Sequence, residues 1–387
     1  MRRIVIGTLA VVALACGSSD EGDSRNSGSG AGSSEGSGAG PGEGGSGAGG
    51  VGGGNVSPDV HLIGRFDKTN PTGPRFAWPG SEVQARFKGT GIQARLHDTG
   101  SNYLTVVIDD GAPTVLELKG PDSMYTLAKE LPDGEHTVLL SKRTESSLGI
   151  VQLLDLAPID GEILPSPPPY DRHIEVVGDS ISAGYGNEGN GPDCSFSAAT
   201  ENEHMTYGAI ASRALSAGHT TLAISGIGAY RSYDGTTEAQ MPVRFLRTLA
   251  EDATSLWDFS LQPDVVVVNL GTNDFSAGDP GQPFIDAYTA FAEDLRTRYP
   301  DAHILCAVGP MLSDGFPQGE MRLTRVKQHL QTVIDTRQQA GDTRIGFVDL
   351  GELDPADGLG CDYHPNLTTH EKMATRLVDA IEAATGW

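Results

Sequence analysis

From Pro58 to about Ile159 the apolar residues fall in short runs that alternate with polar ones, at Val83–Phe87, Gln93–Leu96, Leu104–Ile108, Val115–Leu118, His136–Ser141 and Ile150–Asp155. Turn-forming stretches separate them, among them Lys88-Gly89-Thr90-Gly91, Asp109-Asp110-Gly111 and Pro132-Asp133-Gly134. A period of two with no helical period places alternate side chains on opposite faces of strands, and short strands at this spacing predict an all-β sandwich of the jelly-roll type over residues 58–160. Asp109-Asp110-Gly111 lacks the further ligand positions of a calcium loop and reads as a hairpin turn.

Pro158 and the run Pro165-Ser166-Pro167-Pro168-Pro169 mark a stiff connector at 161–171, and the rhythm then changes. Segments at His173–Val177, Thr220–Ser225, Val265–Leu270, His303–Val308 and Arg344–Asp349 read as buried strands, each expected to lead into a helix. In Phe284–Tyr299, residues Phe284, Ile285, Tyr288, Phe291, Ala292, Leu295 and Tyr299 share one helical face. Five such units predict a flavodoxin-like α/β/α domain over residues 172–387, so the chain as a whole is α/β with an all-β domain in front. In such a sheet, ligands meet the carboxyl ends of the strands.

The 387 residues carry two compositional excesses, 51 glycines and a net charge of −24. Between Gly17 and Ser57, 27 of 41 residues are Gly or Ser, which leaves nothing to bury and predicts an extended tether over 17–57. Residues 1–16 carry +2 and residues 17–57 carry −4, leaving −22 on the body, residues 58–387. That acidity argues against a nucleic-acid partner and against polyanionic substrates. Met1-Arg2-Arg3, the apolar run Ile4–Ala15 and Cys16 fit an export leader too short to span a bilayer. Val12-Ala13-Leu14-Ala15-Cys16 resembles a bacterial lipoprotein signal, with Ala13 where Leu is usual. Lipidation of Cys16 would then hold the protein at the cell surface, the only membrane contact expected; an ordinary signal peptide and free secretion are the alternative. Export would let cysteines pair, and Cys194 and Cys361, both in Gly-rich loops, are expected to form a disulfide, with Cys306 a buried thiol in a strand.

The residues just past each strand carry the candidate chemistry. Gly178-Asp179-Ser180 puts a serine on a strand-to-helix turn, where its hydroxyl can serve as an acyl-transfer nucleophile. Ser225-Gly226-Ile227-Gly228 offers close backbone N–H groups, and Gly271-Thr272-Asn273-Asp274 offers a side-chain amide for a developing oxyanion. Asp362-Tyr363-His364-Pro365 supplies a histidine entering the last helix. Singly, each is better explained as a cap or a turn; together they make a nucleophile, oxyanion donors and a base. Gly184-Tyr185-Gly186-Asn187-Glu188-Gly189 spells G-x-G-x-x-G but does not open a helix directly after a strand, so it is no dinucleotide site. His204, His364 and His370 lack metal-ligand spacing.

These four blocks resemble those of the SGNH (GDSL-type) hydrolases. The longer run Gly178–Gly189, with Thr200-Glu201-Asn202, Tyr230-Arg231-Ser232-Tyr233 and Lys142-Arg143-Thr144-Glu145, is similar to the acetylesterases of carbohydrate esterase family 2, which join a jelly roll to an SGNH domain. The resemblance implies an exported serine esterase that removes acetyl groups from neutral plant polysaccharides or oligosaccharides such as xylan and glucomannan, as a monomer and without metal or organic cofactor. It implies Ser180 as nucleophile, His364 as base, and Ser180 N–H, Gly226 N–H and the Asn273 amide as oxyanion donors, with Gly228 a substitute for Gly226. Asp274 is expected to brace its loop. Tyr363, Tyr230 and Tyr233 are candidate sugar contacts.

One departure stands out. The superfamily's acid lies three residues before the histidine, where this chain has Cys361; its acid, Asp362, is two before. Either the Asp362 side chain reaches the imidazole or a main-chain carbonyl orients it, as occurs in the resembled family, and the carbonyl is preferred. An SGNH lipase or acyl-esterase acting on other esters and a non-catalytic carbohydrate-binding protein are the competing readings.

Overall fold

The computed structural model describes residues 56–387; the leader, Cys16 and most of the Gly/Ser stretch lie outside the described residues. Two antiparallel sheets make the first domain. One runs His61–Ile63, Glu82–Gly89, Gly134–Lys142, Tyr103–Ile108 and Thr114–Glu117 in spatial order, with Glu162–Leu164 also paired to Glu82–Gly89. The other runs Arg75–Phe76, Val151–Ile159, Gly91–Asp98 and Ser123–Ala128. Their inward positions, including Phe76, Val83, Phe87, Ile92, Leu96, Val106, Leu140, Val151 and Leu153, close one apolar core. The Asp109-Asp110 pair is a hairpin turn with both φ angles positive, and the Asp109 carboxylate accepts from Thr137 N–H at 2.8 Å and meets His136 Nδ1 at 2.6 Å.

Glu162–Leu164 falls inside the segment expected to be a bare connector. Its pairing extends the sandwich to Leu164, and Gln84 donates to Tyr170 OH at 2.9 Å, so the proline run lies against the sandwich. Ser123–Ala128, an edge strand of mixed polar and apolar residues, carries too weak an alternation to be read in advance.

The second domain holds five parallel strands, His173–Gly178, Gly218–Ala223, Val265–Asn269, His303–Val308 and Ile345–Asp349, in spatial order second, first, third, fourth, fifth. This is the flavodoxin order, with its crevice where the order reverses beside the first strand. Helices Gln282–Arg298 and Arg322–Gln339 cover one face through Phe284, Tyr288, Phe291, Leu330 and Val333. Helices Tyr207–Ala214 and Leu367–Thr385 cover the other through Tyr207, Ala211, Met373 and Leu377.

One expected helix is missing. After the second strand the chain runs as loops to residue 264, broken by the four-residue helix Met241–Arg244 and an isolated bridge between Arg247 and Leu256. The sandwich occupies this segment: Trp78 enters the apolar core and donates from Nε1 to Arg247 O at 3.2 Å. The fully buried Arg65 donates to the carbonyls of Phe245 and Arg247, stacks over the Phe245 ring and lies 3.5 Å from the buried Glu175 carboxylate. Carbonyls that a helix would satisfy internally are thus satisfied by the neighbouring domain.

Candidate active site

Ser180 lies two residues past the end of the strand His173–Gly178 and opens the short helix Ser180–Ala183. Asp179 caps that helix, accepting from Ile181 N–H at 3.0 Å, and Gly184 in the left-handed region ends it. The turn holds Ser180 at 6% exposure, with its hydroxyl oxygen 2.9 Å from His364 Nε2. Among the described residues its N–H has no hydrogen-bond acceptor.

His364 Nδ1 lies 3.2 Å from Asp362 O and 3.3 Å from Cys361 O. A carbonyl only accepts, so Nδ1 carries the hydrogen and Nε2 presents its lone pair to Ser180. Burial holds the imidazole below its ordinary pKa, partly opposed by those two carbonyls, which favours the neutral form a base requires. The Asp362 side chain does not reach the imidazole: its Oδ2 accepts from Tyr185 OH at 2.8 Å and from Phe196 N–H at 2.9 Å. Asp362 therefore orients His364 through its carbonyl and not its carboxylate. Its backbone is left-handed at φ 50°, a conformation Asp tolerates better than most residues.

The histidine loop is fastened to the loop after Ser180. Cys361 is bonded to Cys194, Cys361 N–H donates to Gly186 O at 2.9 Å and Asp362 N–H donates to Cys194 O at 3.0 Å. Cys306 is buried and free, its thiol pushed up to about 12 by burial. The G-x-G-x-x-G run thus carries the histidine loop. Tyr185 within it stacks on the His364 ring with centroids 4.2 Å apart, and on Phe196 at 4.5 Å. Tyr185 and Phe196 escaped the sequence reading; the one available signal was an aromatic between two glycines, five residues past the serine.

Gly226 adopts φ +80°, and a Cβ there would lie 2.8 Å from the Tyr233 ring, so a side chain could not be added without moving that ring. Its carbonyl accepts from Tyr233 N–H at 3.0 Å, while among the described residues its N–H has no acceptor. Gly228 is not available as a donor, because its N–H is taken by Gln240 Oε1 at 3.1 Å. Asn273 reaches the site with both amide hydrogens engaged, by Ile227 O at 2.8 Å and Asp179 Oδ2 at 3.2 Å. Burial raises the Asp179 carboxyl to about 7. Asp274 braces the preceding block more than its own: its carboxylate accepts from the N–H groups of Ala229, Tyr230 and Arg231 at 2.7–3.0 Å.

Of the candidate sugar contacts, Tyr230 is partly buried and packs against the apolar core. Tyr233 is 65% exposed and Tyr363 48%. Among the described residues no cluster of three or more His, Cys, Asp or Glu could hold a metal ion, and no helix is long and apolar enough to cross a membrane.

Residues 62–168 match the family model described as carbohydrate esterase 2 N-terminal, and residues 176–372 match the GDSL-like lipase/acylhydrolase family. A cellulase/esterase, CelE, of Acetivibrio thermocellus is 38% identical over 86% of this chain, which spans 40% of that protein's length. An acetylxylan esterase/glucomannan deacetylase of Cellvibrio japonicus is 28% identical over 85% of this chain and 90% of its own. A family two carbohydrate esterase from Clostridium thermocellum, solved with cellohexaose, superposes with a TM-score of 0.80 at 38% identity, covering 85% of this chain and 99% of that one. With both halves matched in order and that structure covered end to end, the chain belongs to carbohydrate esterase family 2, within the GDSL-like hydrolases.

Proposed function

We propose that this family 2 carbohydrate esterase is an exported acetylesterase that removes O-acetyl groups from neutral plant polysaccharides, xylan and glucomannan among them, through an acetyl-Ser180 intermediate. The observation that carries this reading is the 2.9 Å approach of His364 Nε2 to Ser180 Oγ, with Nδ1 committed to carbonyls. Ser180 Oγ attacks the acetyl carbonyl carbon while His364 Nε2 takes the hydroxyl proton. The tetrahedral intermediate collapses, the sugar oxygen leaves with that proton, and acetyl stays on Ser180. A water, deprotonated by His364, attacks the acetyl-serine; acetate departs and Ser180 recovers its proton.

The oxyanion is held by the N–H groups of Ser180 and Gly226. Asn273 joins them by exchanging its longer bond, at 3.2 Å to Asp179, for the developing charge. Tyr233 beside Gly226 and Tyr363 beside His364 in sequence offer exposed ring faces to sugar rings. The charge of −22 on residues 58–387 favours neutral over anionic polymers. Export is supported by the leader pattern of residues 1–16 and by the Cys194–Cys361 disulfide, with Cys16 the point of attachment.

The test compares p-nitrophenyl acetate, a long-chain p-nitrophenyl ester, and acetylated xylan and glucomannan, with Ser180→Ala as control. Ser180-dependent turnover that favours acetyl over the long chain is expected. A preference for the long chain would make the protein a lipase, and Ser180-independent turnover would displace the site.

A further inference from the structure

The sandwich domain reaches the reaction centre through one turn, residues 142–145. Lys142 is fully buried, and its ammonium donates to Thr144 O at 2.5 Å, Glu145 O at 3.0 Å and Thr144 Oγ1 at 3.3 Å, which curls the turn around it. From that turn Glu145 N–H donates to Glu201 Oε2 at 2.9 Å. The Glu145 carboxylate crosses into the other domain and accepts from Ser225 N–H at 2.6 Å. Ser225 immediately precedes Gly226, whose carbonyl is held by Tyr233 N–H at 3.0 Å. The short segment bearing the Gly226 N–H is therefore gripped on its amino side by the sandwich and on its carboxyl side by its own loop.

Resting on the reading of Gly226 N–H as an oxyanion donor, we infer that Glu145 is a positioning residue of the esterase reaction: from the sandwich domain it fixes the Ser225–Gly226 backbone so that this N–H meets the developing oxyanion. A glutamate is a costly residue to bury for packing alone. Burial raises the carboxyls of Glu145 and Glu201 and lowers Lys142 to about 7, so the group is held by specific partners and not by solvation. A second tie runs from the same turn: Arg143 pairs with Glu188, which accepts from Asn202 at 2.7 Å, and Arg143 O accepts from Glu203 N–H at 3.0 Å. That tie reaches the loop beneath His364, so Glu145 serves the oxyanion arm and Arg143 the base arm.

Preorganised donors act because they need not reorganise when charge develops. Losing the grip on Ser225 should thus lower kcat more than it alters KM. The test is Glu145→Met against Glu145→Gln in the full chain, with p-nitrophenyl acetate and thermal unfolding followed in parallel. Methionine fills the volume without an accepting oxygen, whereas glutamine keeps a weaker one. We expect Glu145→Met to lower kcat by about thirtyfold or more with KM within about twofold, and Glu145→Gln to lower it by about twofold to fivefold. An unchanged acid limb in the pH profile of both variants would show the Ser180–His364 pair intact. A Glu145→Met enzyme with parental kcat, or equal losses in both variants, overturns the inference. Should Glu145→Met fail to fold, Glu145→Gln decides alone, and parental kcat in it overturns the inference. Parental turnover in Ser180→Ala would instead bring down the reading of the site itself, so the two failures are told apart.

Discussion

His364 takes its tautomer from two main-chain carbonyls, and the Asp362 carboxylate is spent on a tyrosine and a backbone N–H. The distinction is measurable. Removing a triad carboxylate costs about 10⁴ in kcat. Asp362→Ala should cost only about tenfold, because the carbonyl remains, while the hold on Tyr185 and Phe196 and the easy left-handed backbone are lost. Asp362→Asn, which tolerates the same left-handed backbone and can still accept from Tyr185, should stay near the parent. A thousandfold loss in kcat for Asp362→Ala would return the carboxylate to the mechanism. The acid limb of kcat/KM offers a second check. Only neutral His364 can accept the Ser180 proton, so activity is lost as pH falls through its pKa. Burial lowers that pKa, so the limb should lie below the 6.5 of an ordinary histidine, and a limb above 6.5 would contradict it.

Among the elements, the loop that carries His364 holds only the short turns Pro355–Asp357 and Cys361–Tyr363, and the Cys194–Cys361 bond fastens it to the loop after Ser180. Cys194→Ser should lower kcat by about tenfold with little change in KM, since a small misplacement of the base costs rate before binding. It should also cost about 2–5 kcal/mol in stability. Equal kcat with and without the bond would show that the hydrogen bonds around Gly186 suffice.

The strands Val265–Asn269 and His303–Val308 were the plainest to read because they are buried and almost wholly apolar, whereas Gly218–Ala223 is buried but carries His219, Thr220 and Thr221, and the edge strand Ile345–Asp349 is only partly buried. The blocks holding Ser180, Gly226, Asn273 and His364 were readable because strand ends in this fold carry the site. The loops of 224–264 were not, because their partners, Arg65 and Trp78, lie far away in sequence. Gly228 was not legible for a related reason: spacing shows which residues are near the site but not that Gln240 already occupies the Gly228 N–H.

For the whole molecule, the two domains share an apolar core through Trp78, a buried Arg65 contact and the turn at 142–145. The sandwich is therefore packed firmly onto the domain that carries Ser180 and His364. The charge of −22 over residues 58–387 surrounds that body with a repulsive field for anions. Glucuronate-bearing acetylated xylan should be deacetylated faster as salt is raised from about 0.01 M to 0.15 M, where the Debye length shrinks from about 30 Å to 8 Å, whereas neutral acetylated glucomannan should show no such gain. Equal salt responses would remove charge as a basis of substrate choice.

The central claim is that Ser180 and His364 of this chain remove acetyl groups from a neutral polysaccharide. Acetate released from acetylated glucomannan by the parent protein, Ser180→Ala and His364→Ala tests it most directly. The geometry predicts ready release by the parent and a loss of about 10³-fold or more in each variant, with the double variant no worse than the singles, as expected for two groups acting as one unit. Release by Ser180→Ala within about tenfold of the parent, a loss far short of that expected for a catalytic nucleophile, would contradict it.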